Sequence, residues 1–286
     1  MNRFQIEELN ILKEVLKILK KYNLRYYAIG GTCIGAIRHK GFIPWDDDID
    51  IAMPREDYEL FRKQYYKELP DHIVKLDYDN SRHHSFIFFK IHNDQTTMVD
   101  HYAERQPDRF TGAFVDIMPV DGLPSHAGKR SIVINGTKLL MKLNTISRWY
   151  DLFPRTNMGT AQYFKDCIKK IAGFFLRRAD ITAVIERIIG KNRYDDSSDI
   201  CFTWRIGMVE LDRVVFCADW FRETLSVPFE DIMINVPKEF DMYLKQDFGD
   251  YMTLPPEGER NSGHDSYIYD LTKPCSYYAQ IERNKK

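Results

Sequence analysis

Leu9, Leu12, Leu16 and Leu19 recur at helical spacing, and Lys13, Lys17, Lys20 and Lys21 occupy the rest of the circumference. This spacing predicts an amphipathic opening helix laid on a core, ended by Tyr22-Asn23. Tyr26 to Ile29 reads as a short buried strand of aromatic and branched residues. Gly30-Gly31 breaks it, and Thr32 is placed to cap a helix over Cys33 to His39. Lys40-Gly41 closes that helix and Pro44 forbids its return. Ile49 to Met53 reads as a second strand, and Pro54 opens a helix running to about Lys67. Ile73 to Leu76, Ser85 to Ile91, Thr97 to Tyr102 and Ala113 to Ile117 read as further strands separated by polar turns. Strands that follow one another without intervening helices predict a mixed sheet, not a doubly wound one.

From Ser125 the pattern turns helical, over Ile132 to Trp149, Ala161 to Arg178 and Ile181 to Ile189, followed by a polar linker from Lys191 to Asp199. Pro228 to Pro256 mixes short extended pieces with a helix near Lys238 to Phe248. The expected fold class is therefore α+β: a core of mixed β-sheet flanked by helices, with a helical insertion. The division is residues 1–124 for the core, 125–225 for a mainly helical segment, and 226–286 for a C-terminal segment packing back on the core.

With 286 residues, 44% of them hydrophobic, the chain can bury one fair-sized core. Lys and Arg number 41 against 42 Asp and Glu, for a net charge of −1, which speaks against bulk electrostatic binding of nucleic acid. The five cysteines are scattered and form no Cys-x-x-Cys pair, which argues against a disulfide framework or a structural zinc site. Met1 to Asn10 lacks the apolar stretch of a secretory signal, and no apolar run reaches the roughly 18 to 20 residues that span a bilayer. The expected location is the cytoplasm. Phe164, Ile168, Ile171, Phe174 and Phe175 alternate with Lys165, Lys169, Lys170, Arg177 and Arg178. Such a basic amphipathic helix serves either as a peripheral contact at the inner face of a membrane or, more commonly, as a core-facing helix with a solvated basic face.

Candidate chemistry concentrates in Trp45-Asp46-Asp47-Asp48-Ile49-Asp50. Asp48 and Asp50, two apart on a strand, share a face, while Ile49 and Ile51 turn to the core. Two carboxylates so close repel unless a cation lies between them, and Mg²⁺ or Mn²⁺ takes such oxygen ligands. An isolated acidic triplet is commonly a solvated loop; the alternating isoleucines count against that here. Asp46 would share the face of Asp48 as a base or supporting residue, and Asp47 would point away. Gly30, Gly31 and Thr32, between a strand and a helix, can cradle a phosphate. Gly-Gly-Thr followed by Asp-x-Asp is the order of the nucleotidyltransferase fold. A third carboxylate from a later strand is supplied by Asp116 in Phe114-Val115-Asp116-Ile117, unless it is a turn residue before Pro119. Arg38, His39 and Lys40 are either contacts for a donor phosphate or a charged helix end. Lys90, in a strand with Phe86, Phe88 and Phe89, would need a phosphate or carboxylate partner if it points inward.

Ala28 to Tyr58, AIGGTCIGAIRHKGFIPWDDDIDIAMPREDY, closely resembles the LicD family, related to fukutin and fukutin-related protein. The resemblance continues at Phe89-Lys90-Ile91, along Phe114 to Gly122, at Val227 to Asp231 and from Phe248 to Pro256. It implies a nucleotidyltransferase-like core and metal-dependent transfer of a phospho-alcohol from a CDP-alcohol, CDP-choline first among them, with release of CMP. The acceptor implied is a hydroxyl of a glycan, a lipid-linked glycan or a teichoic-acid-type polymer. Asp48, Asp50 and Asp116 would hold the metal, with Asp46 beside them. Gly30, Gly31, Thr32, Arg38, His39, Lys40 and Lys90 would meet the donor phosphates. Two other readings stay open: a nucleotidyltransferase acting on a sugar or small-molecule hydroxyl, and a non-catalytic binding protein.

Overall fold

The computed structural model describes residues 1–100, 103, 106–149, 160–261 and 266–284. Helix α1 (Arg3–Lys21) starts at a capping box, in which the Asn2 side chain accepts from the Phe4 and Gln5 amides and the Gln5 side chain accepts from the Asn2 amide. Its buried face carries Leu9, Leu12, Val15 and Leu19, and it runs across the sheet. Strand β1 (Tyr27–Ala28) leads into α2 (Gly30–Ile34), which continues as one π-helical turn over Gly35–His39 and ends at Lys40 in the left-handed region. Next come β2 (Asp50–Pro54), α3 (Arg55–Lys63), β3 (Ile73–Leu76), β4 (Phe89–Asn93), β5 (Thr97–Asp100) and β6 (Phe114–Leu123). Helices α4 (Ala127–Arg148), α5 (Thr160–Leu176) and α6 (Ile181–Ile189) follow. The chain then forms β7 (Asp199–Phe202), β8 (Val215–Cys217), the hairpin β9 (Thr224–Phe229) and β10 (Ile232–Pro237), α7 (Phe240–Phe248), β11 (Ser266–Asp270) and α8 (Cys275–Asn284).

Among the described residues the main sheet has seven strands, in the order β1-β2-β6-β4-β3, with β7 on β6 and β8 on β7. Only β2 and β6 run parallel in it; the other pairs are antiparallel, so the sheet is mixed, as its helix-poor strand order predicts. β6 is its axis and is buried along its whole length. One edge of β6 pairs β2 over Asp116 to Val120. The other edge pairs β4 only as far as Ile117 and takes up β7 from Val120. The Asp116 amide donates to the Ile49 carbonyl on the β2 side, so the missing N–H of Pro119 falls on the opposite edge, in the gap between β4 and β7. A proline is thereby accommodated in a central strand.

Two expectations change. The segment 125–225 is α-helical only as far as Ile189; beyond it the chain returns to the main sheet as β7 and β8, with short 3-10 turns between and after them. Ile200, Cys201 and Phe202 are fully buried there, a run too short to stand out beside a polar linker. Helix α5 packs on α4, but its large apolar residues are exposed, which removes the core-facing reading of that helix. No helix among the described residues is long and apolar enough to cross a membrane.

A buried ion pair locks three elements. Arg55, at the start of α3, donates through Nε (2.7 Å) and one terminal nitrogen (2.8 Å) to Asp121 on β6, and the Thr203 hydroxyl donates to the same carboxylate. Removing Asp121 takes the bidentate partner from a buried Arg55 and leaves it with Glu59 at 3.3 Å. Asp121→Ala is expected to cost about 3–5 kcal/mol of stability, measured as a lowered urea midpoint with the slope unchanged.

Candidate functional site

The β2–β6 register sets Asp50 beside Asp116, and the β4–β6 register sets Lys90 opposite Asp116 on the other side. Lys90 therefore points inward with a carboxylate partner: its Nζ lies 2.7 and 2.8 Å from the two Asp116 oxygens and 3.5 Å from the centre of the Phe114 ring. Asp50 is the first residue of β2, and Asp46 to Asp48 precede it in irregular chain. Asp48 and Asp50 thus converge without both belonging to the strand. Asp50 Oδ1 is sealed from solvent with no hydrogen-bond partner. Burial, reinforced by Asp48, Asp116 and Asp46, pushes the Asp50 carboxyl well above the usual carboxylate range, with Lys90 opposing the shift.

The Gly-Gly turn forms the facing wall. Gly30 adopts φ +55°, a conformation that favours glycine, and its amide donates to the Tyr243 hydroxyl at 3.0 Å. This bend lets α2 begin at Gly30, so Thr32 lies inside the helix and is not its cap. The Thr32 hydroxyl instead accepts from the Asp50 amide at 2.8 Å, fastening α2 to the acidic strand. A Cβ on Gly30 would stand 3.3 Å from Asp50 Oδ2, and one on Gly31 would stand 2.3 Å from Asp46 Oδ2. Both glycines are needed for the carboxylates to approach the turn.

Gly30, Gly31, Asp46, Asp48 and Asp50 line a cavity of about 270 Å³ whose other wall is Phe202, Trp204, Arg205, Tyr243, Asp247 and Phe248. Arg205 is held by Asp247 at 2.7 Å, and the Trp204 indole N–H is buried without a partner. These residues come from the distant segment 200–250 and were not among the sequence candidates. Glu8 was also missed. It is fully buried on α1, neither of its carboxylate oxygens has a hydrogen-bond partner, and burial followed by Asp48, Asp47 and Asp46 raises its pKa well above the normal range. Its neighbour Gln5 donates to the Asp46 carbonyl at 2.8 Å. The available signal was a glutamate in phase with Phe4, Leu12 and Val15 on the apolar stripe.

Arg38, His39 and Lys40 do not line this cavity. Arg38 donates to the Tyr251 carbonyl and, at 3.0 Å, to His39, while Lys40 Nζ reaches the Ile37 carbonyl at 3.1 Å. Nearby, Glu230 accepts from the Phe42 amide at 3.0 Å and Asp231 pairs with Lys13 at 2.6 Å, so both acids are committed to joining the β9–β10 hairpin to its surroundings. Among the described residues no three His, Cys, Asp or Glu side chains stand in position to coordinate one ion. The sealed, unpartnered oxygen of Asp50, with Asp48 beside it and no side chain at Gly30, is the place where a hard divalent cation fits the donor set.

Residues 23–124 match the family profile described as LicD/FKTN/FKRP, nucleotidyltransferase domain. The chain is 29% identical over 276 residues to the lipopolysaccharide cholinephosphotransferase LicD of Haemophilus influenzae, covering 93% of this chain and 97% of that protein. An uncharacterized protein, RP689, of Rickettsia prowazekii is 29% identical over 41% of this chain and 40% of its own length. Human ribitol 5-phosphate transferase FKRP is 42% identical over 43 residues, which are 15% of this chain and 9% of that protein.

The folded chain holds the Asp50 proton more tightly than the unfolded chain does, relative to an ordinary value of 3.8. The associated stability is complete below that value and falls as pH rises toward the folded pKa. Asp50→Asn, isosteric and uncharged, is expected to raise the unfolding temperature of the metal-free protein by a few degrees at pH 8 and to leave it nearly unchanged at pH 4. An unchanged or lowered midpoint at pH 8 in a calorimetric scan would count against the buried-charge assignment.

Proposed function

We propose that the chain is a LicD-family phosphotransferase that moves phosphocholine or a similar phospho-alcohol from a CDP-alcohol to a hydroxyl of a surface glycan or teichoic-acid-type acceptor. It does so on a nucleotidyltransferase-type core with Mg²⁺ or Mn²⁺. The observation that carries this reading is the convergence of Asp46, Asp48 and Asp50 on the Gly30-Gly31 turn around one cavity. Similarity along 93% of the chain to a protein named as a lipopolysaccharide cholinephosphotransferase supports the choice of group transferred.

The acceptor oxygen forms a bond to the phosphorus that carries the alcohol, the bond from that phosphorus to the bridging oxygen breaks, and CMP leaves with the bridging oxygen. The acceptor hydroxyl proton passes to Asp46, whose side chain borders the cavity. Asp48 and Asp50 would hold the cation, which when bound neutralises charge on the diphosphate. Gly30 and Gly31 leave room for a phosphate to approach the backbone. Asp116 and Lys90 form a fixed ion pair beside Asp50, and Lys90 brings positive charge to a crowded set of carboxylates. Thr32 and Tyr243 hold the turn itself, through the Asp50 and Gly30 amides.

The test is incubation of the protein and Mg²⁺ with CDP-choline, CDP-ribitol or nucleoside triphosphates, together with a glycan acceptor. Release of CMP from one CDP-alcohol is expected, with loss on chelation. Asp48→Asn and Asp50→Asn are each expected to lower the rate by roughly 10³-fold or more. Pyrophosphate release from a nucleoside triphosphate would move the assignment to a nucleotidyltransferase, and full activity in both variants would remove the metal site.

A further inference from the structure

Helix α5 presents its apolar side to solvent. Tyr163, Phe164, Ile168, Ile171, Phe174 and Phe175 are 48–77% exposed. At 100° per residue they fill one continuous arc of about 140°. Gly173 is the buried residue of the helix and lies outside that arc, so the side that meets α4 is a different one. On α4, Ile132 (74% exposed) and Leu139 (58%), seven residues apart, add two more exposed apolar side chains. A soluble domain does not ordinarily leave so many large apolar groups together in water.

The charge around this surface is one-sided. On α4, Arg130 pairs with Asp199 and Arg148 donates to the carbonyls of Tyr78 and Ser81, while Lys129, Lys138 and Lys142 add positive charge and the helix has no carboxylate. From Thr160 to Arg178 there are five cations, Lys165, Lys169, Lys170, Arg177 and Arg178, against Asp166 alone. The chain as a whole has a net charge of −1, so the asymmetry is local. Lys170 and Lys165 lie beyond the two ends of the arc, and an apolar arc so flanked matches a bilayer surface with anionic headgroups, where rings and aliphatic chains enter the acyl boundary and ammonium groups meet lipid phosphates. A second copy of the chain fits less well. A two-fold pairing through this face would set the same cations against one another.

We infer that α5, supported by α4, docks the protein on an anionic lipid bilayer, lying in the plane of the interface without crossing it. This inference rests on the exposed surface alone and stands or falls independently of the transfer chemistry. The full chain is to be floated with vesicles of pure phosphatidylcholine and with vesicles containing about a third phosphatidylglycerol, at low and at high salt. Flotation with the anionic vesicles, weakened at least several-fold by high salt, is expected. Ile168→Glu and Phe175→Glu, at positions already exposed and therefore compatible with folding, are expected to abolish it. Lys165→Gln with Lys170→Gln is expected to weaken it in proportion to the anionic lipid. Equal flotation with neutral vesicles, retention in Ile168→Glu and Phe175→Glu, or a concentration-dependent dimer that both glutamate variants dissociate would each overturn the inference.

Discussion

Parallel pairing of β2 with β6 is the constraint on which the rest of the site depends. It sets Asp50 level with Asp116, and the antiparallel pairing of β4 on the other edge of β6 then puts Lys90 level with the same residue. A slip of one residue in either ladder would turn these side chains to the opposite face of the sheet. The register is held from both ends. Thr32 and the Ile29 amide bind the backbone of Asp50 at the start of β2, and Arg55 joins the element after β2 to Asp121 near the end of β6. Pro119 fits because β6 changes partners beside it.

That register brings several carboxylates close together. Glu8 is within electrostatic reach of Asp46, Asp47 and Asp48, and Asp50 of Asp46, Asp48 and Asp116, with Lys90 opposing both effects. Both oxygens of Glu8 and the Oδ1 of Asp50 are sealed from solvent without hydrogen-bond partners. Buried carboxyls without partners are costly to a fold, and a divalent cation bound as proposed would relieve the repulsion at Asp50.

The two faces of the molecule put apolar residues to different uses. Across the sheet, α1 buries its apolar stripe in the core, and the glutamate on that stripe ends beside the acidic loop. In α5 the same kind of periodic stripe stays outside, and the helix touches the body of the protein through α4. Periodicity reports that a helix has an apolar side but not what covers it, which is why α1 and α5 look alike as sequences and differ in the fold.

Local patterns were enough to locate the strands over residues 27–28, 50–54, 73–76 and 97–100, the helices around them, and the mixed character of the sheet, because alternation and proline or glycine breaks act over a few residues. The crowding of acids at Asp46 to Asp50 and its link to Gly30-Gly31 were legible for the same reason: they sit within about twenty residues of one another. Tertiary structure alone decided the rest. It started α2 at Gly30 and moved Thr32 from cap to hydrogen-bond partner of Asp50, it turned Arg38 and Lys40 toward backbone carbonyls, and it brought Trp204, Tyr243 and Asp247 to the cavity. The physical reason is sequence distance. A side chain's partner from 150 or more residues away is selected by sheet order and helix packing, which no local period records, so the acids could be read from the chain while the wall that faces them could not.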